Sequence, residues 1–177
     1  MSLSSKTIIF LVVGTLVAAF ISLMVVGLLN KTSVTGQSGA TRIGKTAPDF
    51  DLLLLDDNVF SLSEYKDKPV VVNFWASWCI PCREEALILE RNWQNYDGDV
   101  MFVGIGIWDS VEDAREYIDE FGLTYPHGPD IDGKITVDYG VIGIPVTFFI
   151  DRRGTIVHRW VGAISEDELT TWVNDLL

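Results

Sequence analysis

Hydrophobic positions along the chain fall into one long run and several short ones. Ile8 to Leu29 holds 22 residues without a charge, relieved only by Gly14, Thr15, Ser22 and Gly27. As a helix that run measures about 33 Å, enough to cross the core of a bilayer. It ends in Leu28-Leu29-Asn30-Lys31 with no small-residue cleavage pattern, so it predicts a retained transmembrane helix at 8–29 rather than a cleaved leader. Residues 1–7 then form a short N-terminal tail. Residues 30–43, rich in Ser, Thr and Gly and without periodicity, form a flexible linker, which leaves 44–177 as the globular domain.

Within that domain the short apolar runs predict strands at Asp49–Leu55, Pro69–Ala76, Val100–Ile107, Val146–Asp151 and Thr155–Val161. Most are continuous rather than alternating, as in strands buried on both faces. Arg152-Arg153-Gly154 supplies the turn of a terminal hairpin. Ser110-Val111-Glu112-Asp113 and Ser165-Glu166-Asp167-Glu168 each fit a capping box, the second opening a helix that runs to the C-terminus with Leu169, Trp172, Val173 and Leu176 on one stripe. Gly122 to Gly143 is turn-rich and reads as irregular. The order strand, strand, helix, strand, helix, irregular segment, hairpin, helix predicts an α/β fold with a central mixed sheet flanked by helices.

Composition sharpens this in one respect. The 177 residues are 48% apolar, enough for a core, but 13 basic residues face 25 acidic ones. All the acids and only 10 of the bases lie in 44–177, a net charge of −15. Such a domain is no phosphate-tracking nucleic-acid binder; the charge keeps it soluble and would favour basic partners, a merely solvated acidic surface being the plainer reading.

The chain has two cysteines, in Phe74-Trp75-Ala76-Ser77-Trp78-Cys79-Ile80-Pro81-Cys82, where a buried strand passes into a helix. At a helix N-terminus free N–H groups and the macrodipole stabilise a thiolate, so Cys79 is the candidate nucleophile. Cys82 is then the resolving thiol, placed to attack the mixed disulfide within the same molecule. Three blander readings compete. A purely structural disulfide over so short a loop stabilises little. A zinc site would need four ligands, and only His127 and His158 could join the pair. Two inert buried cysteines would not need to stand at a strand-to-helix junction.

On a helical wheel Glu85 lies about 60° to one side of Cys82, Ala86 about 40° to the other, and Leu89 and Trp93 between them, while Glu84 points away at about 200°. Glu85 therefore borders the buried stripe. A carboxyl held near a buried thiol has a raised pKa and can exchange a proton with Cys82; the alternative is that Glu85 bends out to water. Pro145, in Gly143-Ile144-Pro145-Val146-Thr147, marks the start of a strand, and a cis bond is one way to place it beside a site.

WASWCIPCREE followed far downstream by GIPVTFFIDRRG resembles the thioredoxin fold, over Gly44 to Leu177. The single apolar run, the opening GKTAPDFDL and the NFWASWCIPC strand resemble more narrowly the membrane-tethered thioredoxin-like thiol-disulfide oxidoreductases, the ResA, TlpA and CcmG proteins. The resemblance implies a thioredoxin fold with an N-terminal strand extension and a central insertion. It implies a single-pass protein of the cytoplasmic (inner) membrane whose C-terminal domain lies on the extracytoplasmic side. There it would reduce protein disulfides, above all those in the C-x-x-C-H haem sites of apocytochrome c. A membrane thiol reductase would donate the electrons, and no metal or cofactor beyond the Cys79–Cys82 disulfide is called for. It also implies an acid at Glu85, a cis Pro145 next to the disulfide, and a substrate-binding surface of Trp78, Ile80, Pro81, Ile144 and Pro145. By themselves the flanking charges, Lys6 before the apolar run against Lys31, Arg42 and Lys45 after it, favour the opposite orientation.

The sequence departs from the family in four places. Asn73 stands where thioredoxin has a buried Asp, which gives Glu85 the proton-carrying part. Leu87 replaces a helix-kinking proline, Ile80 replaces the Glu of ResA-type motifs, and Val146 replaces the Glu of CcmG-type proteins. Three other functions bear weighing. A thiol peroxidase is suggested because TAPDFDL also resembles the start of peroxiredoxins, although their P-x-x-x-[TS]-x-x-C loop is missing. A copper-binding module would use the two thiolates but has no nearby histidine. A general or oxidase-assembly disulfide reductase differs from the main reading only in its client.

Overall fold

The computed structural model describes residues 14–15, 17–22, 43–96 and 98–177. The chain divides into two units, 1–37 and 38–177. Residues 14–15 and 17–22 are helical; the rest of the expected 8–29 span, the 1–7 tail and nearly all of the 30–43 linker lie outside the described residues. Among the described residues no helix is long and apolar enough to cross a membrane.

In the second unit the chain runs β1 (Asp51–Leu53), β2 (Val59–Ser61), a 3-10 turn (Leu62–Tyr65), β3 (Val70–Trp75), α1 (Ile80–Tyr96), β4 (Met101–Gly106), α2 (Val111–Phe121), β5 (His127–Pro129), α3 (Lys134–Asp138), β6 (Val146–Ile150), β7 (Ile156–Val161) and α4 (Glu166–Asn174). The main sheet has five strands in the order β5-β4-β3-β6-β7. β3, β4 and β5 are parallel, while β6 is antiparallel to β3 and β7 antiparallel to β6. This is the mixed sheet the sequence predicts.

β3, β4 and β6 are buried at every position, as their unbroken apolar runs require. Alternation along β3 sends Val70, Val72 and Phe74 to one face, where they pack with Phe50, Phe60, Tyr139 and Phe148. Val71 and Trp75 go to the other, with Cys82, Ala86 and Leu89 of α1, Tyr117 of α2 and Leu169 and Val173 of α4. The β1–β2 hairpin and α3 thus cover one face, and α1, α2 and α4 the other.

Several expectations need correction. The strand expected over 49–55 shortens to β1, because the Leu54 N–H bonds to the Asn58 carbonyl and Asp57, at φ 67°, turns the chain back into β2. The segment 122–143 is not irregular. β5 forms because β4 offers it a partner, His127 standing opposite Gly104, and α3 forms because the Asp130 carboxylate accepts the Ile135 and Thr136 N–H groups at 3.2 and 2.7 Å. Only the second capping box closes completely: Glu168 reaches the Ser165 N–H at 3.1 Å, whereas Asp113, one methylene shorter, takes only the Ser110 hydroxyl, and the Ser110 N–H goes to Asp109. α4 stops at Asn174, short of the terminus.

The segment before β2 also borders the main sheet. Gly44 N–H donates to the Ile156 carbonyl and Ile156 N–H to the Lys45 carbonyl at one edge, and at the other Leu55 N–H donates to the carbonyl of His127.

Candidate active site

Cys79 and Cys82 form a disulfide and are 4% and 1% exposed. Cys79 immediately precedes α1, and its sulfur accepts the Cys82 N–H at 3.3 Å, the place where an N-cap Ser or Asp oxygen would sit. The same N–H and the helix dipole favour a thiolate at Cys79 once the disulfide opens. Pro81 sits in the first turn, where its missing N–H costs nothing. The carbonyl of Cys82 accepts the Tyr117 hydroxyl at 3.0 Å, which ties α1 to α2 behind the disulfide.

The loop entering α1 is clasped from the end of β4. Asp109 accepts the Ser77 N–H at 2.5 Å and the Ser77 hydroxyl at 2.9 Å, and Trp78 Nε1 donates to the Trp108 carbonyl at 3.1 Å. Arg83 donates to the Ser77 carbonyl, pairs with Glu120 and lies 4.9 Å over the Phe121 ring.

Glu85, one helical turn after Cys82, is 1% exposed. The two Cβ atoms of such an i, i+3 pair are about 5–6 Å apart. One oxygen of Glu85 accepts Asn73 Nδ2 at 2.8 Å and the other the Ile164 N–H at 2.9 Å; Asn73 also donates to Thr147 Oγ1 at 3.0 Å. Burial pushes the carboxyl up to about 7, against the two hydrogen bonds that pull it down. At neutral pH it is therefore poised to take or release a proton. The Ile144–Pro145 bond is cis, and the Pro145 carbonyl accepts the Gly162 N–H at 2.9 Å.

A disulfide at a helix N-cap, a buried carboxyl one turn on and a cis proline before β6 make a redox centre, and comparison with known proteins says of which kind. Residues 43–159, well over half of the sequence, match the AhpC/TSA family. The chain belongs to the AhpC/TSA family. Thioredoxin-like protein YneN of Bacillus subtilis is 35% identical over 71% of this chain and 75% of its own length. The thiol-disulfide oxidoreductase ResA of Oceanobacillus iheyensis is 32% identical over 76% and 73%. Among solved structures, a secreted Mycobacterium tuberculosis disulfide oxidoreductase homologous to E. coli DsbE superposes with a TM-score of 0.66 at 28% identity, covering 72% of this chain and 96% of that one. This AhpC/TSA member is a thiol-disulfide oxidoreductase of thioredoxin fold.

Of the residues singled out in its sequence, α1 gathers Cys79, Cys82 and Glu85, and Glu84 faces water as the wheel requires. Trp78, Ile80 and Pro81 lie outward and exposed, Ile144 is half-buried against the cluster that holds both cysteines, and Pro145 is buried. Asn73 proves to be a donor to Glu85 rather than simply a lost acid, and Thr147, Tyr117, Trp108 and Asp109 were not foreseen. A polar residue in the run Val70-Val71-Val72-Asn73-Phe74-Trp75 was a readable signal for the first of these, since a buried amide demands a partner. Among the described residues no group of three His, Cys, Asp or Glu side chains could hold a metal ion.

Proposed function

We propose that this chain reduces protein disulfides outside the cytoplasmic membrane, foremost those in the C-x-x-C-H haem sites of apocytochrome c. Residues 8–29 anchor it, 30–43 tether it, and a membrane thiol reductase returns the dithiol to its reduced state. The redox-active pair serves as its own cofactor. The observation that carries the reading is the buried Glu85, one turn from Cys82, with a pKa of about 7.

In the reduced form Cys79 attacks as thiolate. Its sulfur bonds to one substrate sulfur as the substrate S–S bond breaks, and the other leaves as a thiolate that takes a proton from water. Glu85 accepts the proton of Cys82, whose thiolate then attacks Cys79 Sγ. The Cys79–Cys82 disulfide closes, the second substrate sulfur leaves as thiolate and takes the proton back from Glu85, and two electrons have passed to the substrate. The exposed Trp78, Ile80 and Pro81 border the attacking sulfur and offer the client an apolar surface.

The test is the reduction potential of the pair in the full-length chain. A value near or below about −270 mV supports a reductase, while one near about −120 mV makes the protein an installer of disulfides and removes the cytochrome client. A Cys82→Ser variant, unable to resolve, should accumulate a mixed disulfide at Cys79 with a C-x-x-C-H protein. Clients without that motif would leave a general or oxidase-assembly reductase.

A further inference from the structure

Two tryptophans stand out from the surface beside the disulfide: Trp78 is 57% exposed and Trp108 58%. The Trp78 ring N–H bonds to the Trp108 carbonyl, so the two are held together. Trp108 has φ 54°, a left-handed conformation that bulky L-residues rarely adopt and that clusters at functional sites. More than half of it is exposed, yet its backbone is pinned on both sides. Before it, Ile107 N–H donates to the Trp75 carbonyl at 2.9 Å; after it, Asp109 grips Ser77.

Acids share the recesses beside both rings. Trp78 borders one with Asp113, Glu116 and Glu120, where Arg83 is the cation present. Trp108 borders another with Asp109, Asp130 and Asp132; no basic side chain is among its lining residues, and Lys134, close enough to interact with Asp130 and Asp132, is engaged by Asp138. Indole faces are the best aromatic partners for a cation, and flanking carboxylates repel an acidic segment while attracting a basic one.

We propose that Trp108, together with Trp78, selects substrates that carry an arginine or lysine beside the disulfide attacked by Cys79. The inference rests on the disulfide-reducing reading above and adds the chemistry of the client: a basic, cysteine-containing protein segment. The exchange itself is unchanged, two electrons passing from the Cys79/Cys82 dithiol to the substrate disulfide.

The test uses the pre-reduced full-length chain and two synthetic peptides, each with one intramolecular disulfide, that differ only in Arg or Glu next to the attacked cysteine. The wild-type chain is expected to reduce the Arg peptide faster, with the ratio of rate constants falling as salt is raised. Trp108→Gly, which suits a positive φ, is expected to lower that ratio about two- to fivefold, the value of an exposed cation–π contact, and Trp108→Phe to keep most of it. Any general loss of activity cancels in the ratio. Equal rates in the wild type, or a ratio unchanged in Trp108→Gly, overturn the proposal while leaving the reductase reading intact. Failure of the wild-type chain to reduce either peptide overturns both.

Discussion

Asn73 Nδ2 lies 2.8 Å from Glu85 Oε1 and 3.0 Å from Thr147 Oγ1, so one buried amide joins α1 to two neighbouring strands of the sheet. That bond holds the carboxyl inside the protein, on the face where the disulfide packs. The catalytic prediction follows from it. Glu85→Gln keeps the shape but cannot carry a proton, and resolution of the mixed disulfide by Cys82 is expected to slow about a hundredfold. The rate should also lose its inflection near pH 7, where Glu85 titrates. Stopped-flow tryptophan fluorescence during reduction of a disulfide peptide reads both; an unchanged profile would remove Glu85 from the mechanism.

Asn73→Asp would set a second carboxyl against Glu85. Two carboxylates at hydrogen-bond distance in a buried site cannot both ionise cheaply, so the pair should hold one proton past neutrality. The variant is expected to lose more stability at pH 8 than at pH 5, measured by urea unfolding of the oxidised protein. Equal losses at the two pH values would mean that water reaches the pair.

Acid stability turns on His127. Burial depresses its pKa to about 3 from 6.5, and among the described residues neither ring nitrogen has a hydrogen-bond partner. Between those values the unfolded chain binds the proton and the folded one does not, so stability falls as pH drops below 6.5, by on the order of 5 kcal/mol in all. Glu85 acts in the opposite sense. Its folded pKa of about 7 exceeds the ordinary 4.5, the folded state binds the extra proton, and stability falls as pH rises between the two, by about 3 kcal/mol. From pH 4.5 to 6.5 the two slopes cancel, and unfolding free energy should be nearly flat. His127→Phe removes the acid-sensitive term, so that its stability should rise as pH falls through that window; a wild-type-like plateau in the variant would show that His127 is not the group responsible.

Gly104 is the fourth position with a sharp expectation. A Cβ there would come within 2.2 Å of His127 Nδ1 and 2.9 Å of Trp75 Nε1, both fixed in the interior. Gly104→Ala is expected to destabilise by about 2 kcal/mol or more. Denaturant unfolding checks this, and Gly104→Ala combined with His127→Ala should recover part of the loss by vacating the space.

How much of this was readable depended on how local the forces are. Val70–Trp75, Met101–Gly106 and Val146–Ile150 were visible because strands buried on both faces leave an unbroken apolar run. β2 and β5 were not: three-residue strands such as His127-Gly128-Pro129 have no pattern of their own and exist because a neighbour pairs with them. The same division holds at the site. The cysteine spacing and the wheel position of Glu85 are properties of one helix. Its partners Asn73 and Ile164 lie 12 and 79 residues away, and the grip of Asp109 on Ser77 spans 32, distances that only the register of the sheet brings together.

The bonds from Gly44, Lys45 and Leu55 have a further consequence. The twelve-residue stretch 44–55 reaches the outermost strand on either side of the five-stranded sheet, touching Ile156 of β7 and His127 of β5. It therefore works as a selvedge, occupying backbone groups that would otherwise invite strands from other molecules. For a thiol-disulfide oxidoreductase this means fewer open places on the sheet where another chain could add a strand.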